Sequence, residues 1–324
     1  MKPFYLAAVV GIALASTGLA QQAPTAGPYK VLKTVKVAAP GSLDYVYADV
    51  AGRRLYIPLR DSAPHIQVFN LDTLDSVGTI LKASARGVAV DPKSGHGFSS
   101  SKPVVMWDTT TLATIKTIDV QGGPDGILFD PFNARVYVFS HSAPNATVIN
   151  AADGTVAGTI DLGGQPEQAV TDGQGHLYVD LEDKSEIAVV DAKTMAVTAH
   201  WSLGGKGGAP AGLAFDVKNH VLFAACASPA TFVMLSSDDG KILTSLPIGS
   251  GTDGAVFNPA TMEAFSSNRD GTLTVIKENS PTSFVVEQNV QTRSGAKTLT
   301  LDTKTNQLFL ITAADAFSIL VVGK

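Results

Sequence analysis

The sequence is poor in cysteine, in charge and in long apolar runs, and each shortage narrows what the protein is. A single cysteine, Cys226, excludes an internal disulfide. Set in the apolar run VLFAACA, it reads as a buried structural thiol rather than a reactive one. Charged residues are only 16% of the chain, the formal net charge is −5, and there is no Lys/Arg block. General nucleic-acid binding is therefore not expected. There is no GxSxG elbow, no CxxCH and no HExxH. The stretch GGKGG at 204–208 lacks both the spacing and the following helix of a phosphate-binding loop, and reads as a connecting loop.

The one sustained apolar segment lies at the start and is too short to span a bilayer. Lys2, the run Phe4 to Leu14 and the small residues of Gly18-Leu19-Ala20 have the order of a secretory signal peptide, residues 1–20. Removing Lys2 with it leaves a net charge of −6. A loose leader is expected over 21–28, then one domain over 29–324, exported to the periplasm or secreted, monomeric and without a transmembrane anchor.

What the chain does have is short β-branched and aromatic runs parted by turn residues. Residues 124–162 hold four: Ile127 to Phe129, Val136 to Phe139, Thr147 to Asn150 and Val156 to Leu162, with Pro124-Asp125-Gly126 read as the opening turn. This predicts a four-stranded antiparallel meander. An Asp or Asn closes each first run, at Asp49, Asp91, Asp130, Asp172, Asp216, Asn258 and Asp302, with spacings of 42, 39, 42, 44, 42 and 44 residues. A four-strand repeat of this period is the mark of a β-propeller. An Asx side chain can bond backbone two residues on, so these acids are structural.

The fold expected is thus all-β, a seven-bladed propeller of four-stranded antiparallel blades. The last copy is one strand short. Leu32 to Val37 resembles the fourth strand of the second copy, Ile115 to Val120, so the N-terminal strand is expected to complete the C-terminal blade and close the ring.

Several features carry a family resemblance. They are Pro124, Pro166 and Pro210 between blades, and Asp-Pro turns at Asp91 and Asp130. Second strands such as Val136-Tyr137-Val138 and Leu177-Tyr178-Val179, and the ending Val189-Val190-Asp191 with Thr194, belong with them. The chain resembles the YVTN-type, YncE-like repeat propellers of exported bacterial proteins. It departs from them in the Thr-Asn that usually ends the second strand, which only Ser267-Asn268 approaches. The resemblance implies an exported binding or scaffold role and brings no catalytic residues.

The position five before each anchor holds Asp44, Arg86, Asp125, Glu167, Ala211, Asp253 and Lys297, and the next holds Tyr45, Gly87, Gly126, Gln168, Gly212, Gly254 and Thr298. In a propeller both columns ring the central axis, where glycine suits crowded backbones. Six ionisable groups in the first column make it the candidate ligand-binding funnel, with an ion-pair plug as the competing explanation. Arg86 has acids on both neighbouring blades, Lys297 has Asp253 and Asp44, and Glu167 has no basic neighbour in its column. Asp125, Glu167 and Asp253 form an acidic arc suited to Ca²⁺ or another divalent metal, although no cofactor is otherwise expected.

Arg60, Asp61, His65, His141, Asp183, Arg269 and Asp270 fall on loops of the same face and are candidates for its rim. His96, His176 and His220 are placed in turns on the opposite face, and His200 in an outer strand. Asn145-Ala146-Thr147 has the form of a glycosylation sequon. The function expected is a non-catalytic propeller recognising a protein, peptide or cell-envelope component through its charged face. The alternative is a metal-dependent, lactonase-like hydrolase acting in the funnel; a redox-cofactor propeller lacks ligand motifs.

Overall fold

Each four-run repeat becomes one antiparallel sheet. A computed structural model describes residues 1, 25–37, 42–60, 62–143, 146–314 and 316–324. Among them are 28 strands in seven four-stranded sheets, and no helix long and apolar enough to cross a membrane. Blades 1 to 6 occupy residues 47–81, 88–118, 124–160, 166–202, 210–247 and 252–291 in chain order. Blade 7 takes 298–323 and borrows the strand Lys30–Lys36, which pairs antiparallel with Ser318–Gly323. The innermost strands touch their neighbours around the full circle, the last against the first.

Burial explains why the inner strands are apolar throughout rather than alternating. Every blade is covered on both faces by its neighbours, so both sides of a strand such as Leu308 to Thr312 are core. Seven hydrophobic clusters result, one per seam. Phe69 and Phe309 fill the seam between blades 1 and 7, for example, and Phe223 and Phe232 that between blades 5 and 6. Burying each such ring contributes about 2–3 kcal/mol. The outermost strand Ala196–Ser202, with one face in water, does alternate.

All seven Asx anchors behave as their chemistry requires. Asp91 Oδ1 accepts from Lys93 N at 2.9 Å, Asp172 Oδ1 from Gln174 N at 2.7 Å and Asn258 Oδ1 from Ala260 N at 3.0 Å. Asp130, Asp216 and Asp302 do the same, and Asp49 reaches one residue further, to Gly52 N. Cys226 lies wholly buried in the seam between blades 4 and 5, where desolvation pushes its thiol up to about 12.

One local reading is corrected. Pro124-Asp125-Gly126 is not a turn but the start of the innermost strand Pro124–Asp130, whose pairing slips between Pro124 and Ile127. That irregularity matters, because it sets Asp125 and Gly126 at the axis. A Cβ on Gly126 would stand 2.2 Å from the Glu167 carbonyl oxygen, so glycine is required there by a neighbouring backbone.

Candidate functional site on the loop face

Six ionisable side chains of the first column converge at one end of the axis, and loop residues join them. Asp44, almost fully buried, is the hub of one half. Arg86 Nη1 lies 2.8 Å from its Oδ2, Arg60 Nη2 3.3 Å from the same oxygen, and Lys297 Nζ 3.4 Å from Oδ1. Lys297 also bonds Asp253, and Arg86 lies 3.3 Å from Asp125 Oδ2. Burial alone would lower the pKa values of Arg86 and Lys297, but the surrounding carboxylates outweigh it and raise both. Burial raises Asp253, with Lys297 opposing.

The other half is built around Glu167. Its Oε1 lies 2.9 Å from His141 Nε2, and its Oε2 accepts from Tyr45 Oη at 2.9 Å across the axis. His141 Nε2 also lies 3.4 Å from Asp125 Oδ2. Contact with Glu167 raises the His141 pKa, offset in part by burial. Glu167 itself, pushed up by burial, is pulled below its ordinary value by His141 and Tyr45. Burial, then the Glu167 charge, pushes Asp125 up to about 7 against the pull of Arg86. Beneath Glu167, Asp180 is raised well above the carboxylate range, first by burial and then by the Glu167 charge, and Glu182 is raised for the same two reasons.

Two sequence expectations change here. Glu167 does have a basic partner, because the loop after the strand Arg135–Ser140 brings His141 inward from the expected rim. The expected arc of Asp125, Glu167 and Asp253 is divided, since Lys297 takes Asp253, while Asp125, His141 and Glu167 place one ligand-type atom each within 4.8 Å of one another.

Of the other rim candidates, Arg60 joins the ring through Asp44, and Arg269 stands beside Lys297 in a shared pocket. His65 contacts Ala63 O, Asp183 holds Gln165 N and Asp270 holds Ser250 N, so these three secure loops. Asp61 and Asn145 lie outside the described residues.

The non-glycine members of the second column turn out to be the residues that reach across. Gln168 donates to Ala255 O at 3.0 Å and accepts from Leu213 N and Ala255 N, tying blades 4, 5 and 6. Thr298 Oγ1 donates to Asp44 O at 2.5 Å. Tyr45, Gln168 and their neighbours line a central cavity of about 180 Å³. The signal was in the sequence: a long side chain in a column otherwise given to glycine has to fill the axis.

On the opposite face His176 pairs with Asp172 at 2.8 Å and His220 with Asp238 at 2.6 Å, while His96 Nδ1 lies 2.8 Å from Ala151 O. His96 and His176 open second strands rather than sitting in the turns before them. His176 and His220 flank a cavity of about 600 Å³ walled by Tyr178, Trp201 and Phe215 between blades 4 and 5.

No family model matches this sequence, and no curated protein does. Solved structures match by shape. A chain in the crystal structure of the mitotic checkpoint complex superposes with a TM-score of 0.74 over 99% of both chains at 10% identity. The structure of U3-55K gives 0.74 over 93% of this chain and 100% of that one, at 11% identity. At such identities the likeness speaks for the seven-bladed propeller fold alone.

Proposed function

We propose that the chain is an exported, non-catalytic recognition propeller of the YVTN-like kind, which binds an anionic segment of a protein, peptide or cell-envelope component on its loop face. The observation that carries this reading is a pocket of about 410 Å³ in which Arg60, Arg86, Arg269 and Lys297 surround the single carboxylate of Asp44. Arg86 and Lys297 are also paired outward with Asp125 and Asp253, yet Arg60 and Arg269 keep the pocket lining itself predominantly cationic in a concave, partly desolvated place, where a guanidinium fork can grip a carboxylate. The far half of the face is acidic, so it would orient an incoming partner by charge. Propellers of this shape occur within assemblies such as the mitotic checkpoint complex, which accords with a binding role. Export rests on the signal-like order of residues 1–20.

The test is fluorescence anisotropy with labelled acidic peptides and anionic envelope glycans, against the parent chain and the Arg269→Ala and Lys297→Ala variants. Binding should fall at least tenfold in each variant and weaken with salt. Equal affinity in parent and variants would remove the pocket from the function.

A second reading, a metal-dependent hydrolase acting on a lactone or ester in the funnel, is favoured by the convergence of Asp125, His141 and Glu167. Turnover of a chromogenic ester by metal-supplemented protein, absent in His141→Ala, would support it over recognition alone.

A further inference from the structure

Asp125, His141 and Glu167 each bring one ligand-type atom within 4.8 Å of the others, an arrangement that a shared cation could occupy in place of the ion pair. His141 Nε2 lies 2.9 Å from Glu167 Oε1 and 3.4 Å from Asp125 Oδ2. Nε2 makes no hydrogen bond of good direction, although Glu167 is close enough to raise the imidazole pKa. The two separations bracket the edge of a tetrahedron with Zn–N and Zn–O bonds of ~2.05 Å, which is about 3.3 Å.

Asp125 is 3% exposed; its Oδ2 is shared by Arg86 and His141, and its Oδ1 has no hydrogen-bond partner, so the carboxylate keeps an unused ligand atom in the cluster. A carboxylate oxygen buried without a donor costs free energy that a cation would recover. Among the described residues this is the one cluster of three or more such side chains whose ligand atoms converge.

We propose that Asp125, His141 and Glu167 form a binding site for a first-row divalent transition metal such as Zn²⁺. One imidazole nitrogen and two carboxylates form a mixed donor set, suited to Zn²⁺ or Co²⁺ more than to Ca²⁺, which takes six to eight oxygens. Tyr45, donating to Glu167 Oε2, orients the carboxylate from behind in the manner of an outer-shell partner. Three protein ligands leave at least one coordination position, and His141, at the mouth of the loop face, leaves it accessible to water or to a ligand atom. Arg86 beside Asp125 limits the net negative charge of the site, so a neutral or anionic fourth ligand fits better than a second cation. The site supplies the metal centre that the hydrolase reading needs. Its test is binding, so it stands or falls separately from turnover and from anion recognition in the Asp44 pocket.

The experiment takes the chain after chelator dialysis and adds CoCl₂ or ZnCl₂ near neutral pH. Expected are one bound equivalent by calorimetry, a higher melting temperature and a visible Co²⁺ absorption band of low-coordinate intensity. His141→Ala and Asp125→Asn should weaken binding at least tenfold, while His176→Ala, on the opposite face, should leave it unchanged. Because loop variants can fail to fold, Co²⁺ is also titrated into the parent chain and histidine ring NMR signals are followed. His141 signals should broaden or shift first. No bound equivalent, or first broadening at His176 or His220, would overturn the proposal; in the former case the triad is an ion pair held by a protonated His141.

Discussion

Tyr45 and Glu167 meet across the propeller axis: the hydroxyl of Tyr45, in the segment leading into blade 1, donates to Glu167 Oε2 of blade 4 at 2.9 Å, joining residues 122 apart in the chain. The Tyr45 hydroxyl is held far from ionisation, by burial first and then by the Glu167 charge, so it remains a donor at any ordinary pH. Replacing Tyr45 by Phe leaves Glu167 Oε2 without that donor. The variant should lose about 1–2 kcal/mol of stability. A double-mutant cycle of Tyr45→Phe with Glu167→Gln, followed by denaturant unfolding, should show a clear coupling energy. Strictly additive losses would mean the two groups do not sense each other.

Asp44 neutralises three cations at once, so its loss should be felt as structure. Asp44→Ala leaves Arg60, Arg86 and Lys297 gathered without their common carboxylate. A loss of about 3 kcal/mol is expected, toward the low end for a broken buried pair because the cations are partly solvated. High salt should restore part of it. Unchanged melting at low and high salt would show that the ring does not plug the axis.

The borrowed strand should be indispensable. Without Lys30–Lys36 the edge Ser318–Gly323 is bare, and Tyr29, 3% exposed and bonded through its hydroxyl to Glu263, is gone. A chain begun after Val37 should aggregate or melt well below the parent, since an open edge and an uncovered seam invite pairing between molecules. Adding a peptide of residues 29–37 should restore part of the melting temperature. A soluble truncated chain with the parent's melting temperature would disprove ring closure by this strand.

Glu278 sets a pH dependence. Buried between blades 5 and 6, with Asn219 on its Oε1, it is pushed up to about 7 by desolvation, and the neighbouring Asp216 adds to the rise. Its folded pKa exceeds the unfolded value, so between roughly pH 4.5 and 7 the folded state keeps a proton that the unfolded chain has released. The contribution of this group is therefore fully present below that window and is lost as pH rises through it. Glu278→Gln keeps the acceptor for Asn219 and should melt several degrees higher than the parent at pH 8. The two curves should converge near pH 4.5. A difference that grows toward acid would reverse the sign and refute the assignment.

The propeller was legible because its signals are local and repeated. Each Asx anchor closes its own turn, each apolar run is its own strand, and the missing seventh fourth strand could be counted. Local geometry misled in one place, where Pro124-Asp125-Gly126 has the composition of a turn and is a strand start. The column of Asp44, Arg86, Asp125, Glu167, Asp253 and Lys297 was also legible, because a fixed offset from an anchor carries every blade's residue to the same height.

What a column cannot contain is the angle at which side chains lean. His141 lies in a loop whose path is set by the packing of its blade, and only the folded ring shows it reaching Glu167 instead of the rim. Asp253 could equally have faced Glu167 or Lys297; the buried amine decided it, because two opposite charges out of water must meet. Sequence alone determined the repeat, the closure and the set of charged groups at the axis: each turn and strand is specified within a few residues, and the strand lacking at one end of the chain matches the spare strand at the other. The pairs of Arg86 with Asp44 and Asp125 and of Lys297 with Asp253 and Asp44 were among those the column offered. That Arg60 and His141 join them from the loops was decided by tertiary structure, because pairing depends on contacts of a few ångströms between residues that the chain separates by 16 to 253 positions.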